Sequence, residues 1–139
     1  MNKNLLLVAA VTAFLGIACS HSEQRIDYPF LDTTWNLVAL DSEQIDYPGP
    51  GIPNIRFEAD KVSGFDGCNN FFGNYTTEGN NLTFGLLAST RMACPHIEEI
   101  DMKINRMLSA TTHYLISGNS MSFYADDKLL ASFRASKQN

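Results

Sequence analysis

Two short segments constrain this chain more than the rest of it together. The first runs Val62-Ser-Gly-Phe-Asp-Gly-Cys-Asn-Asn-Phe-Phe-Gly-Asn-Tyr75, and the second is Ser89-Thr-Arg-Met-Ala-Cys-Pro95. Gly64, Gly67 and Gly73 interrupt otherwise strand-like sequence, where glycine marks a bulge, a sharp bend or a close backbone approach. A strongly curved sheet needs such devices. Asn69 and Asn70 supply side chains that bond neighbouring backbone groups and tolerate left-handed conformations. Each segment also contributes one cysteine, Cys68 and Cys94.

What those cysteines do depends on the N-terminus. Lys3 is followed by an uncharged apolar run over residues 5–18. A membrane-spanning helix needs about 20 apolar residues, so this run has the length of a signal-peptide core instead. It ends in Leu15-Gly-Ile-Ala-Cys19, similar to a bacterial lipobox, with Gly16 where a larger aliphatic residue is usual. The expected organisation is a lipoprotein-type signal peptide over 1–18, Cys19 as the lipid attachment site, a polar tether over 19–29 and one domain over 30–136. Ser20 stands where an Asp would argue for inner-membrane retention, which favours the outer membrane, facing the periplasm.

In an exported, oxidising setting Cys68 and Cys94 remain as an even pair once Cys19 carries lipid, and a disulfide is the reading that fits best. Two alternatives stay open at this point. A zinc site from Cys68, Cys94 and His96 has an unusual Cys-Pro-His spacing and no evident fourth ligand. A nucleophilic Cys68 with His96 or His113 as base is a pairing that a chain with three histidines offers by chance.

The rest of the chain reads mainly as short strands. Residues 35–40 form a β-rich run, 55–58 and 61–66 a hairpin, and 71–76 and 82–88 a second pair turned by Gly79-Asn80-Asn81. Residues 113–117, 121–125 and 129–135 make a meander, with Gly118-Asn119 and Asp126-Asp127 at its turns. The stretch 41–54 carries Pro48, Pro50 and Pro53 and is expected to be a loop without a ladder. One helix interrupts the strands. Pro95 suits its first position, Glu98, Glu99 and Asp101 suit the N-terminal end of the dipole, and Lys103 and Arg106 follow. Ile97, Ile100, Ile104, Met107 and Leu108 recur at helical spacing as a core-facing stripe. The expected fold class is α+β: a mainly antiparallel, strongly curved or partly open barrel of about seven to eight short strands, with one covering helix.

Fifteen acidic side chains against ten basic ones leave a formal net charge of −5, and no basic cluster appears. Nucleic acid is therefore not an expected partner. Neither Gly-x-Ser-x-Gly, His-Glu-x-x-His nor a phosphate-cradling loop is present, and no cofactor, metal or catalytic residue is expected.

Gly67-Cys68-Asn69, Gly73-Asn74-Tyr75, Thr90 and Ala93-Cys94-Pro95 resemble the signature of the META domain, the family of the bacterial heat-shock lipoprotein HslJ. Trp35, Phe57, Tyr114, Ile116 and Gly118 fall where that family has similar residues, so the resemblance covers roughly the whole mature domain. It implies a small antiparallel, partly barrel-like fold with one helix and a bonded cysteine pair. It also implies an envelope location and a link to stress or antibiotic tolerance. Gly67, Asn69, Gly73, Tyr75 and Thr90 are thus motif residues with a structural or binding role. Arg91 and Asp66 have two readings, a mutual ion pair locking the two segments, or contacts to an envelope partner.

Three functions from different classes follow. The leading one is a non-catalytic, lipid-anchored envelope module that binds or stabilises another protein. The second is a small-ligand or lipid carrier using the interior of a partly open barrel. The third, a thiol enzyme, requires a free Cys68 or Cys94.

Overall fold

The computed structural model describes residues 26–47, 49, 51–95 and 98–136. The expected signal peptide, Cys19, the first part of the tether, His96 and Ile97 lie outside the described residues. Nine strands form one antiparallel sheet: β1 (Thr34–Leu40), β2 (Glu43–Gln44), β3 (Asn54–Glu58), β4 (Lys61–Phe65), β5 (Asn70–Glu78), β6 (Asn81–Ser89), β7 (His113–Ser117), β8 (Ser120–Ala125) and β9 (Lys128–Ala135). The single described helix, α1 (Glu98–Ala110), connects β6 to β7. This is the α+β, mainly antiparallel class that the strand spacing predicts.

Alternation places the core. In β1, Trp35, Leu37 and Leu40 are buried, and a bulge between Leu37 and Ala39 shifts the phase so that residues three apart both face inward. β3 buries Ile55 and Phe57 by simple alternation. The sheet runs in the order β2-β1-β3-β4-β5-β6-β7-β8-β9, and β1 also pairs with β9, so it returns on itself. The ring is uneven. β6 and β7 share one register pair, Asn81 opposite His113, supported by Leu82 N–H to Thr112 O and Tyr114 N–H to Asn80 O, both at 2.9 Å. The arrangement is ring-like rather than a uniformly closed barrel.

Two details differ from the sequence expectations. The stretch 41–54 is not wholly without a ladder, because Glu43 and Gln44 fold back on Leu40 and Ala39 through a turn with Asp41 and Ser42 at positive φ. A two-residue strand has no periodicity from which to predict it. Among the described residues the helix runs from Glu98, and Pro95 stands in a turn rather than in the helix.

The interior is filled. Trp35, Phe57, Leu82, Met121 and Phe123 are fully buried, and Phe57 stacks on Phe30 at 4.2 Å between ring centroids while meeting Tyr75 edge-on at 5.0 Å. α1 adds Ile104, Met107 and Leu108 to the same core. Between those helix residues and Leu37, Ile55, Phe71 and Phe133 lies a cavity of only about 10 Å³. Among the described residues this packing weighs against a ligand or lipid carried in the ring's interior, the second reading of the sequence.

Candidate functional site

The two motif segments meet at a corner just beyond the end of the β5–β6 ladder, which closes with Phe71 opposite Ser89. The first segment turns on Asp66. Its Oδ1 accepts the backbone N–H groups of Cys68 at 2.9 Å and Asn69 at 2.6 Å, and its own N–H donates to Asn69 O at 2.9 Å. Gly67 sits inside this turn at φ 105°, where an L side chain is strained, and a Cβ there would also strike the Tyr47 ring.

Asn69 then joins one segment to the other. Its Oδ1 accepts the Met92 N–H at 2.7 Å and the Thr90 hydroxyl at 2.9 Å, and its amide donates to Met92 O at 3.4 Å. Thr90 Oγ1 in turn accepts the Asn70 N–H at 3.1 Å, and Thr90 N–H donates to Asn70 O at 3.0 Å. The Cys68–Cys94 disulfide closes the corner covalently, with Cα atoms 5.8 Å apart. With both sulfurs in that bond, neither is free to ligate zinc or act as a nucleophile, and the two thiol readings of the sequence give way.

Gly73 and Tyr75 serve the same framework from β5. The β5–β6 register shifts between Gly73 and Tyr75, and a Cβ on Gly73 would lie 2.5 Å from Leu86 O, a backbone atom that cannot move aside. Tyr75 is buried and donates its hydroxyl to Glu58 O at 2.9 Å. Burial raises its pKa above the usual tyrosine value, followed in effect by Tyr114 and the charge of Asp60.

Asp66 and Arg91 are not brought together. Asp66 is 2% exposed and occupied by the turn, so it is neither an ion-pair partner of Arg91 nor a group that a binding partner can reach. Arg91 is exposed and makes no ion pair among the described residues. Its backbone is nevertheless held on both sides, by the bonds of Thr90 and Met92, so the guanidinium projects from a fixed loop.

The structure brings to this corner two residues that the sequence did not place there. Asp101, on α1, has its pKa raised by burial first, then by the charge of Asp66 and a hydrogen bond to it, against a lowering bond from the Asn105 amide. Tyr47 has a buried hydroxyl without a hydrogen-bond partner among the described residues. Its pKa is raised by burial, then by the charges of Asp66 and Asp101. No local pattern connects these three residues, since they come from a loop, a turn and a helix far apart in the chain.

Outside this corner the sheet carries an apolar strip. Ser63, Phe72 and Ala88 lie in register across β4, β5 and β6. Leu87 packs against the core, so Leu86 and Ala88 face outward with Phe72. Leu86 is 99% exposed and Phe72 57%, and Met92 is exposed on the adjoining loop.

The fold and corner define a small disulfide-stitched antiparallel β domain with one helix. The family model of the META domain matches residues 28–137, and the chain belongs to that family. No curated protein matches the chain. Among solved structures it is similar to the NMR structure of a protein from Burkholderia xenovorans, with 25% identity, a TM-score of 0.63, and coverage of 78% of this chain and 85% of that one. A second NMR structure is 25% identical with a TM-score of 0.58, covering 73% of this chain and 88% of that one. These likenesses bear on the fold.

Proposed function

We propose that the protein is a non-catalytic, lipid-anchored module of the bacterial envelope that binds and stabilises another protein under stress. The carrying observation is the division of labour at the two-segment corner. Its conserving of shape consumes the polar groups of Asp66, Asn69 and Thr90 internally, while Phe72, Leu86, Met92 and Arg91 remain exposed beside it. A rigid frame presenting apolar side chains and a free guanidinium loses little entropy on association, and apolar side chains exposed together on a β surface mark contact sites. The acidic balance of the chain argues for a protein rather than a nucleic-acid partner. Anchoring through Cys19, in the outer membrane and facing the periplasm, accords with the lipobox-like sequence, and family membership accords with a role in stress or antibiotic tolerance.

A photo-crosslinking residue placed at Leu86 in the full-length protein, expressed in its own cells, tests the reading. The expected result is one dominant crosslinked protein after heat or antibiotic stress, absent when the same probe replaces the exposed Glu78. Recovery of only abundant bystander proteins from both positions overturns it.

A further inference from the structure

The chain is acidic overall, yet Lys103, Arg106 and Lys128 line a single groove of about 320 Å³. It lies where α1 passes the ends of β1 and β9, and Leu40, Met107 and Leu130 form its apolar floor. Two of the cations are engaged at the rim. Lys103 Nζ is 2.7 Å from Glu99 and Lys128 Nζ is 3.2 Å from Asp41, which also lines the groove. Arg106, exposed on the same lining, makes no ion pair among the described residues. A planar, always-charged donor fork beside an apolar floor matches a carboxylate or phosphate attached to a hydrocarbon chain. The volume lies at the lower end of the roughly 300–1,000 Å³ typical of ligand pockets, which fits one short chain rather than a two-chain lipid.

We infer that this groove binds a single-chain anionic amphiphile, its head on Arg106 with Lys103 and Lys128 flanking and its chain over Leu40, Met107 and Leu130. Such a site is separate from the apolar strip proposed above for a protein partner, and it lies outside the filled interior of the ring. Arg106 supplies the charge selectivity, because the floor alone does not distinguish an anionic head from a neutral one.

The test is titration of the disulfide-intact protein, followed by amide NMR shifts, with decanoate, decyl phosphate, decanol and acetate, each below its aggregation concentration. Decanoate or decyl phosphate should saturate, with shifts confined to α1 and the facing ends of β1, β8 and β9. The stronger of the two identifies the preferred head group. Decanol should bind at least about tenfold more weakly, the size expected for a lost charge-assisted hydrogen bond, and acetate should not saturate. Arg106→Ala should reduce the affinity for the anionic probe about tenfold and leave decanol unchanged. Arg106 is exposed, so the variant should keep the parent's urea midpoint. Equal affinities for decanol and both anions, shifts spread over other surfaces, or unaltered anion binding by Arg106→Ala would each overturn the inference.

Discussion

At the β6–β7 seam the ladder shrinks to Asn81 opposite His113, whereas at the corner beyond β5–β6 it stops altogether and two loop segments run side by side. The first junction is bridged by apolar mass: Leu82 is fully buried, and Phe84 on β6 lies 5.9 Å from Phe123 on β8 across the seam. The second has glycines at 64, 67 and 73, and the side chains buried in its turn, Asp66, Cys68 and Asn69, are polar or bonded ones. There the disulfide and the Asp66–Asn69–Thr90 hydrogen bonds tie the two segments. The difference teaches that a ring of strands does not need a continuous ladder. It needs, at each gap, either a shared core or a polar and covalent tie.

The largest effect should come from removing the tie. Cys68→Ala with Cys94→Ala opens a loop with a sequence separation of 26. On the chain-entropy model this lowers stability by about 3.5 kcal/mol, read as a fall in the urea midpoint, with prior reduction of the parent giving a similar loss. A change below about 1 kcal/mol would mean that packing also holds the corner.

Leu82→Ala attacks the other junction. If the seam rests on burial, the cost should be about 3 kcal/mol, as for other leucines truncated in filled cores. A near-neutral result in the same denaturation experiment would assign the seam to its few backbone bonds and dissolve the contrast.

Asn69→Ala sharpens the comparison on the corner's polar side. It leaves the Met92 N–H and the Thr90 hydroxyl without their acceptor, at a cost of about 2 kcal/mol. Amide exchange should accelerate at Met92 more than anywhere in β7–β9. Because Asn69 adjoins the disulfide, its effect should differ in the bonded and Cys-free backgrounds, and strict additivity would show the two ties to be independent.

Much of the fold was legible in the sequence, and for local reasons. The β-rich runs between turn residues marked eight of the strands, the stripe through Ile104, Met107 and Leu108 marked the helix, and Gly118 and Asp126 marked turns that indeed adopt positive φ. The two-segment signature pointed to the family and to the cysteine pair now seen bonded. The roles of single polar groups were not legible. Asp66 had two readings, an ion pair with Arg91 or a contact to a partner, whereas its carboxylate turns inward onto its own loop.

What the sequence determined by itself, then, was most of the elements and the places where the chain bends, since φ preferences and side-chain alternation act between near neighbours. Tertiary structure alone decided the β1–β9 pairing that returns the sheet on itself, the filling of its interior, the approach of Asp101 to Asp66, and the convergence of Lys103, Arg106 and Lys128 on one groove. Those depend on register and on which surfaces remain uncovered after packing. Both are settled only when distant segments compete for the same buried volume.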